Sequence, residues 1–146
     1  MTSRPARLTA ALALAAGLAA SAHADDAAAL AAAAKEPGAV VSPTGVVFRS
    51  LKPGHGASPK ATDTVKVNYR GTFTNGREFD ASHGSPISFP LDKVIPCWTE
   101  GVQKLQVGGK GKLTCPSALA YGPNGAGGVI PPNATLVFEV ELLAIN

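Results

Sequence analysis

The sequence predicts an α+β domain, an antiparallel sheet curled into a half-barrel around one short helix. Two strands are marked by period-two alternation. Val65, Val67 and Tyr69 share one face against Lys66, Asn68 and Arg70; Leu136, Phe138, Val140 and Leu142 alternate with Val137, Glu139, Glu141 and Leu143. One helical pattern lies between them, with Val94, Trp98, Val102 and Leu105 recurring every three or four residues. A single helix cannot cover a flat sheet, so the sheet has to twist and wrap around it.

The chain opens with material of a different kind. Arg4 and Arg7 precede an apolar, small-residue run from Leu8 to Ala20, broken only by Thr9, and Ala22-His23-Ala24 offers a small-x-small cleavage pattern. The run is too short to span a bilayer comfortably, and no cysteine follows for lipid attachment. Residues 1–24 are therefore expected to be a signal peptide removed on export. Residues 25–42 are expected to be an alanine-rich flexible spacer. Asp25 to Glu36 is mostly alanine with charged ends and could form a short helix if something packed against it, but Leu30 is its one large apolar side chain, so a spacer is the better reading, and Pro37-Gly38 ends it.

The domain itself is expected over 43–146, strand-like from about Val46 onward. Asn75-Gly76 suits a tight hairpin with two positive-φ residues, leading into Arg77-Glu78-Phe79-Asp80. Ile87 and Phe89 point together across Ser88. Pro96 fits the first turn of the helix and Gly108 its end. Lys110 to Cys115 reads as a short strand after Gly108-Gly109.

Composition removes several function classes. The formal charge of +3 falls to +1 when Arg4 and Arg7 leave with the signal. No cluster of lysine and arginine interleaved with aromatics is present, so neither nucleic acid nor, after signal removal, a membrane is an expected partner. Cys97 and Cys115, an even count in a chain bound for an oxidising space, favour a disulfide. Two separate buried thiols, or half of a metal site, remain the alternatives. No histidine or third cysteine stands near to complete zinc ligation, so no metal is expected. His55 and His83 lie in glycine-rich loops and read as exposed. Gly122 to Gly128 holds four glycines, but no lysine or helix start follows at phosphate-loop spacing, so a flap is the better reading. What remains is apolar. The only tryptophan, Trp98, together with Tyr121 and the run from Ile130 to Phe138, can line a pocket for a small apolar ring.

Five segments then fall in a telling order: Val67-Asn68-Tyr69-Arg70-Gly71, Gly76-Arg77-Glu78-Phe79-Asp80, Val94-Ile95-Pro96-Cys97-Trp98-Thr99-Glu100-Gly101, Leu119-Ala120-Tyr121-Gly122 and Ile130-Pro131-Pro132-Asn133-Ala134-Thr135-Leu136. Together they resemble the FKBP-type peptidyl-prolyl cis-trans isomerases, the macrolide-binding immunophilins. Any one segment is weak, but five in order from about Val46 to Leu143 are specific. The resemblance implies five or six antiparallel strands around the helix, with the active pocket between helix and sheet. As catalytic residues it implies Tyr69, Phe79, Asp80, Trp98, Tyr121 and Phe138. Trp98 would be the floor under a proline ring, Tyr69, Phe79 and Phe138 the walls, and Asp80 the edge. Ile87, Val94, Ile95 and Ile130 would bind substrate, with the Ile95 N–H and the Tyr121 hydroxyl donating to peptide carbonyls.

Three positions depart from the family pattern. Ile87 stands where many eukaryotic members carry an aromatic, Ala126 where some carry histidine, and Cys97 in place of the usual glycine before the tryptophan. The first two bear on peptide preference and macrolide affinity. The implied activity is isomerisation of X–Pro bonds in unfolded or nascent secreted polypeptides, in the periplasm or medium, with no cofactor and with macrolides as candidate inhibitors. The same pocket could instead grip proline segments without catalysis, as a binding module or chaperone. Several secreted bacterial relatives dimerise through a long N-terminal helical region. Asp25 to Val41 is too short to supply one, so a monomer is expected.

Overall fold

The computed structural model describes residues 27–146, and the segment read as a signal peptide lies outside the described residues. The strands are β1 (Val40–Val41), β2 (Val47–Lys52), β3 (Thr64–Phe73), β4 (Glu78–Ala81), β5 (Ile87–Pro90), β6 (Lys110–Cys115) and β7 (Leu136–Ile145). All pair antiparallel in one sheet of order β1-β2-β6-β7-β3-β4, with β5 also on β3. The path does not close on itself, so the sheet is an open half-barrel. It exceeds five or six strands because the two-residue β1 extends its edge. Residues 27–34 form helix α1, and Pro96–Val102 form helix α2.

Alternation places the core. Leu136, Val140 and Leu142 of β7 are fully buried and Phe138 nearly so, while Glu139 and Glu141 between them face outward. Val65 and Val67, in register with Ile145 and Leu142, extend that inner face across β3. Helix α2 fills the concavity with Cys97, Trp98 and Val102, and Leu105 follows, also buried. Pro96 opens α2, where its missing N–H has no helical partner to lose. The helix stops at Gln103, short of Gly108. That glycine, at φ 91°, instead turns the chain toward β6. Gly101 sets how closely helix and sheet approach, since a Cβ there would run into the Leu113 side chain of β6.

The β3–β4 connection differs from the expected two positive-φ residues. Gly76 alone is left-handed, at φ 88°; its N–H donates to the Phe73 carbonyl at 2.9 Å, and Asn75 Oδ1 accepts the Arg77 N–H at 2.9 Å. A turn of the type I kind followed by a left-handed glycine uses three residues, Thr74-Asn75-Gly76, closed by the Phe73 N–H donating to the Arg77 carbonyl at 2.9 Å.

The segment expected to be a spacer carries helix α1 and β1. Ala33 of α1 is buried, and Lys112 Nζ donates to both Glu36 carboxylate oxygens at 3.1 Å. Arg49 adds an ion pair to Glu36 at 3.4 Å and a hydrogen bond to the Pro37 carbonyl at 3.0 Å. Partners on β2 and β6 give this segment its order, in place of an apolar stripe of its own. Among the described residues no helix is long and apolar enough to cross a membrane.

Candidate active site

The opening in the half-barrel arises at the β3 edge. β5 pairs with the first half of β3, from Thr64 to Val67, and β4 with Arg70 to Thr72, leaving Asn68-Tyr69 between them. Ser82, just past β4, spans the gap. Its N–H donates to the Tyr69 carbonyl at 2.9 Å, and its Oγ accepts the Tyr69 N–H at 3.1 Å and donates to Asn68 Oδ1 at 3.0 Å. Tyr69 is thereby fixed in backbone while its ring turns to α2.

Trp98 sits in the first turn of α2 with three rings standing edge-on around its indole. Tyr69, Phe138 and Phe89 approach at centroid distances of 5.2, 5.4 and 5.5 Å, with interplanar angles of 83°, 88° and 81°. Phe79 meets Phe138 in the same way at 5.6 Å and 82°. Each such edge-to-face pair contributes about 0.5–1.5 kcal/mol beyond its burial, so the rings hold one another upright around open space. Gly71 makes room for two of them: a Cβ there would lie 2.7 Å from Phe79 Cζ and 2.9 Å from Phe138 Cε1.

The space enclosed is a hollow of about 470 Å³. Tyr69, Phe79, Asp80, Trp98, Tyr121 and Phe138 all line it, with Val94 and Ile95 beside them. Ile87 and Ile130 do not. Ile87 lies opposite Val67 on β5 and is 38% exposed; Ile130 is buried in the flap, exchanging both backbone hydrogen bonds with Ala126 at 2.9 Å. Phe89 and Lys93 line the hollow and were not anticipated. Phe89 carries a legible signal, since it shares a face with Ile87 on β5. Lys93 carried none; its place follows from a 3₁₀ turn at Leu91–Lys93.

The polar groups sit at the edge of this apolar space. Asp80 Oδ2 accepts the Tyr69 hydroxyl at 2.7 Å. Burial, and after it the adjacent Asp80 carboxylate, push the Tyr69 phenol well above its ordinary value, so it remains a neutral donor. The Trp98 indole N–H is buried with no acceptor among the described residues. Ile95 precedes α2, and its carbonyl accepts the N–H groups of Trp98 and Thr99 at 2.9 and 3.2 Å. Tyr121 stands 40% exposed at the start of the flap, which the Asn133 N–H ties back to the Gly122 carbonyl at 2.9 Å. Beneath the floor, Cys97 is bridged to Cys115 at the end of β6, with Cα atoms 5.8 Å apart and both residues fully buried. The favoured disulfide is the pairing formed, and neither cysteine is free.

A curled open sheet closed by one helix, with an aromatic-floored hollow between them, is the build of the immunophilin class. A family profile for FKBP-type peptidyl-prolyl cis-trans isomerases matches residues 56–143. The chain is 57% identical over 119 residues to the FKBP-type peptidyl-prolyl cis-trans isomerase FkpA of Aeromonas hydrophila, a match covering 80% of this chain and 44% of that protein. The crystal structure of FkpA from Escherichia coli superposes with a TM-score of 0.83 at 47% identity, covering 97% of this chain and 68% of that one. A crystal structure of a peptidyl-prolyl cis-trans isomerase from Pseudomonas syringae pv. tomato gives 0.82 at 38% identity, covering 86% and 94%. The chain belongs to the FKBP-type peptidyl-prolyl cis-trans isomerase family. It spans less than half the length of the Aeromonas relative.

Proposed function

We propose that the chain is an exported peptidyl-prolyl cis-trans isomerase that takes the proline ring of an unfolded or newly secreted polypeptide into the aromatic hollow. One observation carries the reading: the Trp98 indole, ringed edge-on by Tyr69, Phe89 and Phe138, forms the floor of an apolar space of about 470 Å³. A pyrrolidine ring lying on that floor would leave its amide bond inside the dry lining.

Rotation about an X–Pro bond is slow because amide resonance opposes twisting, with a barrier of about 18–20 kcal/mol. Resonance also separates charge onto oxygen and nitrogen, and water stabilises that planar form. The twisted form has less charge separation, so exchanging water for aromatic walls favours it relative to the planar one. Four to six powers of ten in rate require about 5–8 kcal/mol of such differential stabilisation. The polar groups orient the peptide. The Ile95 N–H and the Tyr121 hydroxyl donate to flanking carbonyls, and Asp80 holds the Tyr69 wall by its hydroxyl. No covalent intermediate or proton transfer is involved.

Export to the periplasm or medium is supported by the Arg4, Arg7 and Ala22-His23-Ala24 pattern, and by a disulfide suited to an oxidising space. Action as a monomer and occupation of the hollow by macrolides belong to the same proposal. A protease-free cis–trans relaxation assay on a proline tetrapeptide tests it. Acceleration by the folded protein, abolished by a hollow-filling macrolide, is expected. Peptide binding with no acceleration would leave a proline-gripping module or chaperone in its place.

A further inference from the structure

We propose that Lys93 makes the hollow selective for prolines with an acidic neighbour, a preference that rests on the isomerase reading and names its substrate class. Among the side chains that line the hollow, one is an acid and one a base, Asp80 and Lys93. They are in different situations. Asp80 is engaged by the Tyr69 hydroxyl at 2.7 Å. Lys93 enters none of the ion pairs among the described residues, whereas Lys110 and Lys112 are paired with Glu139 and Glu36. The one cation at the mouth is exposed and uncommitted.

Its mounting is firm. Leu91, at the start of the same turn, is fully buried; its N–H donates to the Asp63 carbonyl at 2.9 Å and its carbonyl accepts the Thr99 hydroxyl of α2. Lys93 therefore leaves an anchored turn two positions before Ile95, the residue whose N–H is proposed to hold the peptide. The adjacent acid, Asp92, lines the neighbouring depression with Val94, Pro96 and Glu100, and is not among the residues lining the hollow. The remaining walls are aromatic and aliphatic and carry no charge of their own, while the exposed ammonium itself stays screened by water.

A neutral residue beside the proline fills the hollow without engaging Lys93. A carboxylate next to the proline gains an ion pair at the rim, and a basic residue there meets repulsion. Because Lys93 is exposed, the gain is modest, about two- to fivefold in kcat/KM.

The test is a matched set of tetrapeptides with Glu, Gln or Lys immediately before proline, and a second set with the same residues after it. Acceleration by the full chain is measured at low and at high salt. The expected result is a two- to fivefold advantage of Glu over Gln in one of the sets, shrinking toward unity at about 1 M salt. Lys93→Gln should level the ratio, and Lys93→Glu should invert it in favour of Lys. Equal kcat/KM for Glu and Gln peptides in both sets, or a preference unchanged in Lys93→Glu, would overturn the role of Lys93 while leaving the isomerase intact. Should no peptide be accelerated, the isomerase reading fails on its own. The dissociation constants of the same peptides, read from the fluorescence of the single tryptophan in the floor, then decide Lys93 by the same ratios.

Discussion

The floor and the rim of the hollow are built on different physical principles. In the floor, Trp98 and Phe138 are each 4% exposed, every ring is fixed by two or three others, and the Cys97–Cys115 bridge ties the helix beneath to β6. At the rim, Tyr121 is 40% exposed and Lys93 has no ion-pair partner among the described residues. A floor side chain cannot change without disturbing the packing around it, whereas a rim side chain can. On the proposed function, work that depends on shape and dryness belongs to the first, and choice among substrates to the second.

The comparison is most severely strained by emptying the floor. Phe138→Ala removes a ring that Trp98 and Phe79 both lean on, and should cost about 3–5 kcal/mol of stability in a denaturant melt. In conditions where the variant stays folded, kcat/KM should fall roughly ten- to hundredfold. Next in size is the staple. Cys97→Ala/Cys115→Ala opens a loop of sequence separation 18, which should lower unfolding free energy by about 3 kcal/mol under non-reducing conditions.

Rim changes should be gentler. Asp80→Asn should reduce turnover only a few-fold, because the lining stays dry and Tyr69 keeps a hydrogen-bond acceptor. It should also bring the Tyr69 phenol down toward the ordinary tyrosine range in an ultraviolet titration, though not all the way, since burial is the larger cause of the rise. The sign for stability follows. The folded chain keeps a proton that the unfolded chain releases above about pH 10, so the Tyr69 contribution is intact below that pH and is lost as pH rises through and beyond it. Smallest is Glu36→Ala, far from the hollow. Losing its contacts to Lys112 and Arg49 should cost less than about 1 kcal/mol and leave turnover unchanged.

The same contrast governs what could be read from the residues. Strands β3 and β7 were legible because one face is buried and alternation records that directly, as Val65, Val67, Leu136, Val140 and Leu142 do. Trp98 and its walls were legible through ordered motifs. Helix α1 was legible only as a possibility, because an alanine run carries no apolar stripe and the residues beside it, Lys112, Thr114 and Val137, lie far along the chain. Phe89 was visible as a strand residue but not as a wall, since which aromatic reaches the indole depends on where β5 pairs with β3. Lys93 gave no pattern at all; a lone lysine in a turn acquires meaning only from the hollow beside it.

The most direct measurement is a ranking of two variants in one protease-free isomerisation assay, Phe138→Ala against Asp80→Asn, each first verified as folded. Catalysis by a dry aromatic lining predicts that Phe138→Ala loses the larger factor in kcat/KM. A larger loss for Asp80→Asn would mean that a polar group at the edge, and not the lining, lowers the barrier to rotation.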